Sequence, residues 1–393
     1  MKIESKRLTG FLALMFACLP LFYLFRIDPI FFHIGTLVFL LSLVALSPGS
    51  RVSREGLGFL TLVYLLIVIS AIREIGGQID IFEYFKWFAF GLQMLLLLSV
   101  VGRDNVDVFF SKYANWVSVV SVLQIFLMLT GGIDDHYGRY FFFGDSHPNL
   151  GGEIYTIALL FGALSLGRNR FLVNFLPMFI CLLMMQARSA ELVAIGILIA
   201  KVFFDSSNQV KAGRVVGVVT ILMLVSGALL IEGSMAQYFM AKVMLADDAF
   251  RGSGTGLVGR VERWSIGIEY ALANPLLGSG ISTYTADDAL SPHNAFLYGF
   301  SMCGAFSLLF WWFIAGAVVR ASKRDRRVAL YTAPFLILFL LNDRFINLNP
   351  YPFLLYFSVI RLGERSLLKD HTTRLSVKVG RPIDDPVASS RRA

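Results

Sequence analysis

The sequence predicts an all-α, polytopic integral membrane protein of about twelve transmembrane helices, with a long periplasmic loop carrying short helices. Three observations predict it. The 393 residues are 56% hydrophobic and only 16% charged, where soluble domains carry about 25% charged residues. Apolar runs of roughly 17–25 residues, long enough to cross a bilayer as helices, recur along nearly the whole chain. Basic residues gather in alternate connections between those runs, the pattern that orients membrane helices.

In order, the expected spans are Leu8–Phe25, Pro29–Leu46, Leu57–Ile72, Glu83–Val101, Ala114–Gly131 and Pro148–Gly167. Then come Phe171–Ala187, Ala190–Phe204, Val215–Ile231, His293–Val319, Val328–Asn342 and Tyr351–Leu367. The first run is expected to remain as a span, because no small-residue cleavage site follows it before Arg26-Ile27-Asp28-Pro29. The basic connections hold Lys2, Lys6 and Arg7, Arg51 and Arg54, Arg103 and Lys112, and Arg168 and Arg170. Further along are Lys201, Lys211 and Arg214, the Arg320–Arg327 block, and the tail after Arg361. Placing these inside puts both termini in the cytoplasm.

The net charge of +8 is then mostly a topology signal beside anionic lipid, and no nucleic-acid partner is needed to explain it. Cys18, Cys181 and Cys303 sit apart in apolar runs and read as small core residues rather than disulfide or metal partners. Residues 1–368 read as one membrane domain without internal repeats. Residues 369–393 read as a short basic cytoplasmic tail, polar enough to be disordered.

Two substantial segments fall on the other side, Gly132–His147 and the connection of about 232–292. Long connections in compact proteins tend to be functional, so chemistry is expected on the periplasmic face. No cytosolic nucleotide reaches that face, so an enzyme there needs a substrate that carries its own activation. Met235–Leu245 has helical spacing suited to the membrane surface. Arg251–Gly259 is Gly-rich but lacks the Lys-Ser/Thr ending of a phosphate loop. Arg260–Ala273 reads as a helix stopped by Asn274-Pro275. Arg260 and Arg263 share one face of it, while Val261, Trp264, Ile268 and Leu272 form an apolar stripe expected to be its buried edge. A surface helix whose arginines meet water or headgroups accounts for the same pair.

Arg188 lies between two apolar stretches. A charge at membrane depth costs about 2.5–3.5 kcal/mol, which makes it a functional candidate; snorkelling to the outer edge or pairing with Glu191 are the structural alternatives. His293 and Asn294 open an apolar run in "SPHN", where capping a helix start is an equally good explanation. His147-Pro148-Asn149 opens another run in the same style. Asp134, Asp135, His136, Asp145 and His147 match no recognised ligand spacing, so no metal is assigned.

The ordered set is more specific than any member. Arg188 at the outer end of a mid-chain span is followed by a long loop holding Gly259-Arg260, Trp264, Pro275 and Gly278-x-Gly280, and then by His293-Asn294. This resembles the O-antigen ligase / Wzy-type polymerase superfamily of bacterial membrane glycosyltransferases. "HPNLGG" at His147–Gly152 looks like a further element of it. Ligases of that superfamily often continue from His-Asn through nine residues to Gly-x-x-Gly, Thr or Tyr. Here Gly304 follows Ala295–Cys303, but Ser307 departs from the last position. The usual mid-chain Ser-Arg-Gly is altered to Ala187-Arg188-Ser189.

The resemblance implies a glycan on a polyprenyl diphosphate as donor, an acceptor hydroxyl as nucleophile, inversion at the anomeric carbon, and neither metal nor other cofactor. It assigns His293 as general base, with Arg188 and Arg260 on the diphosphate. Asn294, Arg263, Trp264, Tyr284, Arg139 and Asn149 are the expected substrate-binding residues, and Arg344 is a further candidate cation. The acceptor is a second lipid-linked repeat unit in a polymerase of exopolysaccharide or O-antigen, and a lipid A–core sugar in a lipopolysaccharide ligase. The Ser307 departure favours the polymerase. The implied partners are the lipid-linked glycan, the acceptor glycan, the bilayer and other polysaccharide assembly proteins. A transporter or flippase for the same lipid-linked sugar is the reading from a different class.

Overall fold

The computed structural model describes residues 2–18, 20–21, 29–46, 52–75, 79–133, 135–136, 139–143, 148–204, 258–284, 291–341 and 353–364. They are almost entirely helical. In chain order the helices are α1 (Lys2–Cys18), α2 (Pro29–Leu46), α3 (Arg54–Arg73), α4 (Ile81–Val100) and α5 (Val106–Leu129). Next come α6 (Pro148–Ser165), α7 (Arg168–Met185), α8 (Arg188–Phe204), α9 (Val258–Ala273), α10 (Ala295–Cys303) and α11 (Ser307–Arg324). The series closes with α12 (Arg326–Thr332), α13 (Phe335–Leu341) and α14 (353–364). A two-residue antiparallel pair, Asp135–His136 with Arg139–Tyr140, is the only sheet among the described residues.

Five helical stretches of the described residues are long and apolar enough to cross a membrane: Arg54–Arg73, Ile81–Val100, Arg103–Leu129, Arg168–Met185 and Ala295–Arg324. Large apolar side chains stay exposed on their outward faces, among them Phe126, Leu129, Val173 and Trp312, as lipid-facing helices require. The chain is a multi-pass membrane protein. The remaining expected spans take several forms. Residues 215–231 and the surface helix expected at Met235–Leu245 lie outside the described residues, as do most of the 232–292 connection and the 369–393 tail. Val328–Asn342 is interrupted at Ala333-Pro334, where α12 ends because proline has no N–H to continue the helix.

Aromatic side chains tie the helices together. Phe59 of α3 meets Phe90 of α4 at 5.6 Å and Phe310 of α11 at 5.8 Å, and Phe353 of α14 meets Phe16 of α1 at 5.5 Å between ring centroids. Phe161 of α6 stacks on Phe110 of α5 at 4.3 Å. In lipid such packing, rather than expulsion of water, holds helices side by side.

Ion pairs close one end of the bundle. Buried Glu364 pairs with Arg361, accepts from the Ser53 hydroxyl at the α3 N-cap, and lies 3.7 Å from Arg103. Arg320 reaches Glu55 at 3.3 Å. Lys201, expected among the cytoplasmic loop cations, is instead buried in α8 and donates to the Ala163 carbonyl at 2.8 Å. Its ammonium can satisfy a carbonyl inside the bundle only because α6 and α8 pack directly.

One expected span is not straight. In a continuous helix, residues 296 and 311 would stand about 22 Å apart, yet the Phe296 and Trp311 rings lie 4.5 Å apart. The chain therefore bends between α10 and α11, at the 3-10 turn Gly304–Phe306. The bend is set by glycine. Gly304 has φ +57°, and a Cβ there would lie 2.4 Å from the Leu276 backbone. A Cβ on Gly278, which has φ +72°, would lie 2.3 Å from the Met302 carbonyl. Ser279 N–H donates to Ser301 O at 2.8 Å, Gly280 N–H to Met302 O at 2.9 Å and Ala305 N–H to Pro275 O at 2.9 Å. The Gly278-x-Gly280 turn thus lies backbone to backbone on the end of α10.

Gly304→Ala is expected to lose at least about 2 kcal/mol through left-handed strain and overpacking, read as a lower melting temperature in detergent. Gly10→Ala in α1, where nothing lies within 4 Å of the new methyl, should be neutral or stabilising by up to about 1 kcal/mol. Equal melting of Gly304→Ala and the unsubstituted protein would refute the backbone contact.

Candidate active site

The site candidates occupy the end of the bundle away from Arg54, Arg103 and Arg320. Tyr155 of α6 donates to Gln124 near the far end of α5, and the Cys181 thiol of α7 donates to Ser121 O at 3.3 Å. These contacts fix α6 as running away from that far end and α7 as running toward it. Gln186 then takes φ +51°, with Ala187 N–H bonding back to Leu182 O at 3.1 Å, and ends α7 in a left-handed cap. The break falls at Gln186-Ala187, so Arg188 is the first residue of α8. It sits at the bundle end, not mid-span, and is half-buried. Gly152 brings the first turns of α6 against the start of α8, and Gly151 packs the same turns on Phe142. A Cβ on Gly152 would lie 2.8 Å from Ala190 Cβ, and one on Gly151 would lie 2.5 Å from Phe142. Asn149, half-buried, lies in this same first turn of α6.

The second group forms on α9 and the start of α10. A Cβ on Gly267 would lie 2.8 Å from Pro292 Cβ, so α9 touches the residue preceding His293. One turn earlier on that face, the Arg263 guanidinium lies in hydrogen-bonding contact with His293 Nε2. Arginine has only donors, so Nε2 accepts and the neutral ring carries its proton on Nδ1. His293 has φ +45°, a left-handed conformation in which histidine is enriched. Asn294 follows in extended backbone, and its Oδ1 caps α10 by accepting from Phe296 N–H and Leu297 N–H at 3.0 Å each. That commits the amide oxygen to the helix and leaves the NH₂ group for other partners.

The packed face of α9 differs from the expected one. Gly267 and Ala271 are buried, whereas Ile268 and Leu272 are 44% and 73% exposed. Ile268 and Leu272 of the expected stripe point outward, because a surface lined by small residues permits the closer approach to Pro292. Trp264 is half-buried, and its indole N–H is buried with no partner among the described residues. Arg260 lies one turn before Arg263, Arg139 on the short strand pair and Tyr284 at the end of the 3-10 helix Ile281–Tyr284. The side chains of those three lie outside the described residues, as do Arg344 and His147. No group of three or more His, Cys, Asp or Glu able to hold a metal occurs among the described residues.

A carboxylate absent from the expected set fastens the turn that leads to His293. Glu74, buried at the end of α3, accepts from Ser282 N–H and the Ser282 hydroxyl, each at 2.8 Å, and from Tyr84 OH at 2.8 Å. Tyr84 spends its only proton there, so Ser70 donates to Tyr84 at 3.2 Å while accepting from Ile281 N–H. Asp80 caps α4 through Phe82 N–H at 3.0 Å, and its own N–H donates to Ser282 at 3.0 Å. Gly280, at φ +109°, leaves the space that Glu74 fills. No local spacing around Glu74 marks it, since Tyr84 lies on the next helix and Ser282 stands 208 residues away.

Residues 173–312 match the family model described as O-antigen ligase. The match supports the O-antigen ligase / Wzy-type polymerase superfamily that the motifs resemble. Arg188, Arg260, Arg263, Trp264, Tyr284, His293 and Asn294 all fall inside the matched O-antigen ligase segment, while Arg139 and Asn149 lie before it. A comparison with curated proteins gives no match.

Glu74→Ala is expected to destabilise the protein by roughly 1–3 kcal/mol, because it strands buried donors. Glu74→Gln, which keeps one acceptor oxygen, should lose less. Thermal unfolding in detergent orders the two variants; identical melting of Glu74→Ala and the unsubstituted protein would exclude the fastening role.

Proposed function

We propose that the protein is a glycosyltransferase at the periplasmic face of the bacterial inner membrane, with both termini cytoplasmic. It moves a glycan from a polyprenyl diphosphate to an acceptor hydroxyl. The observation that carries this reading is the contact of Arg263 with His293 inside the O-antigen ligase match. A guanidinium and a neutral imidazole side by side offer anion binding and proton acceptance in one place.

In the proposed reaction, His293 takes the proton of the acceptor hydroxyl as its oxygen attacks the anomeric carbon from the face opposite the diphosphate. The bond to the phosphate oxygen breaks and its electron pair leaves with the lipid diphosphate, giving inversion. Arg188 and Arg260, with Arg263, neutralise that growing charge. Their guanidinium groups present forked donors to phosphate oxygens. Trp264 and Tyr284 offer ring faces to sugars, and Asn149, Arg139 and the Asn294 amide are further binding groups.

We take polymerisation, with a second lipid-linked repeat unit as acceptor, as the leading reading. Ser307 bears on it less than its departure from the ligase pattern suggests: its hydroxyl is buried and donates to Gly304 O at 2.8 Å, serving the bend. Ligation to a lipid A–core sugar stays as the second reading, favoured by the description of the matching family.

Reconstitution with a lipid-linked repeat unit tests both. A ladder of products without added core is expected; a single transfer that requires core oligosaccharide would identify a ligase. His293→Ala should lower turnover by about 10²–10⁴-fold, the usual contribution of a general base, while still binding the donor. Product formation at the unsubstituted rate by His293→Ala would refute the assignment.

A further inference from the structure

We infer that Arg263 is a two-position guanidinium that masks the His293 base until a lipid diphosphate arrives. The inference rests on the glycosyl-transfer reading and adds an order of events to it. Its root is the contact itself. The neutral ring has a single basic lone pair, on Nε2, and Arg263 occupies it. That lone pair cannot hold the guanidinium and take the acceptor proton at once. Proton uptake at Nε2 beside an unmoved Arg263 would also place two cations in contact. Arg263 therefore has to leave before the transfer step.

The surroundings decide which partner moves. His293 is held from both sides. Pro292 is wedged against Gly267, and Asn294 caps α10 through two hydrogen bonds. The residue between them takes φ +45°, so the ring's backbone is fixed by its neighbours. Arg263 projects from a regular helix on a long side chain and is half-buried. It can swing without moving the backbone.

A diphosphate supplies the reason to swing. Charge-assisted hydrogen bonds to phosphate oxygens are roughly twice as strong as neutral ones, and the imidazole offers only a neutral acceptor. With the donor seated, Arg263 passes to the diphosphate and the Nε2 lone pair is released. The acceptor hydroxyl then gives its proton to Nε2 while its oxygen bonds to the anomeric carbon, and the departing electron pair goes to the diphosphate. Without a donor the base stays covered, so acceptor hydroxyls are not activated. Arg263 is in this sense a positioning residue for His293, and a binding residue for the donor only after it has moved.

Carbethoxylation of His293 by diethyl pyrocarbonate, which needs the free imidazole lone pair, reads the mask directly. The experiment uses the full chain in detergent, with the His293 peptide quantified by mass spectrometry. Modification is expected to be slow in the unliganded protein and roughly tenfold faster with saturating farnesyl diphosphate, the factor for losing one hydrogen bond to a charged group. Farnesol, without the diphosphate, should have no effect. Arg263→Gln should react fast whether or not farnesyl diphosphate is present. Arg263→Lys, which keeps the cation, should still respond to the diphosphate and serves if the glutamine variant does not fold. A residue with a purely structural role would show none of this response. Binding of farnesyl diphosphate is measured separately. If it binds and His293 reactivity does not rise, or if Arg263→Gln reacts no faster than the unsubstituted protein, the mask is refuted alone. If farnesyl diphosphate does not bind, the glycosyl-transfer reading fails and the mask with it.

Discussion

Backbone-to-backbone contact between the Gly278-x-Gly280 turn and the end of α10 is the constraint on which the described site depends. Three glycines, at positions 278, 280 and 304, take positive φ there and leave no room for a side chain. The contact bends the chain between α10 and α11, so that Phe296 reaches Trp311 and Phe339. A fourth glycine, Gly267, lets α9 close on Pro292. Only with both approaches in place does an arginine on one helix meet a histidine ahead of another. The spacing from His293-Asn294 to Gly304 is thus a length of helix, the distance from the cap to the bend.

Polar groups at the same end serve to hold this geometry. Glu74 gathers three donors from two distant segments and fastens Ser282 to α3 and α4. In a low-dielectric bundle such a network stabilises only when every member is satisfied. Ser70, Tyr84 and Asp80 meet that condition by each accepting or donating in turn. At the opposite end Glu364 joins Arg361, Arg103 and the Ser53 hydroxyl and so ties α14 to the start of α3, although the buried Arg361 Nε has no partner among the described residues. The two ends differ in use. One is closed by opposite charges in pairs, while the other holds the Arg263–His293 contact beside hydrogen-bonded Glu74 and Asp80.

Much of the helical layout was legible in the sequence. α2, α3, α4, α7 and α8 fall where apolar runs predict helices, because each must satisfy its own backbone hydrogen bonds in lipid. Arg188, Gly259-Arg260 and His293-Asn294 stood out through residue type and order, and His293 and Arg263 do meet. Other features had no local signal. The stripe Val261, Trp264, Ile268 and Leu272 looked like the buried edge of α9, since apolar residues at helical spacing usually are, yet Ile268 and Leu272 face outward while the Trp264 indole N–H is buried. In a membrane protein outward apolar residues cost little, and small residues define the packed face. Lys201 read as a loop charge because nothing nearby reveals the Ala163 carbonyl that receives it. Glu74 passed unnoticed for the same reason.

What the sequence determined by itself is the helical character of the chain, the position of several of the described helices, their lipid-facing composition and the inventory of groups able to do chemistry. These follow from hydropathy and residue type, which act over one or two helical turns. The tertiary structure alone decided that the span after His293 bends at Gly304, that Glu74 fastens the turn at Ser282, and that Arg263 covers the His293 lone pair. Each of these depends on a Cβ that is missing or a hydrogen bond that spans tens to hundreds of residues. Distances of that kind arise when helices pack against one another, and no local pattern along the chain encodes them.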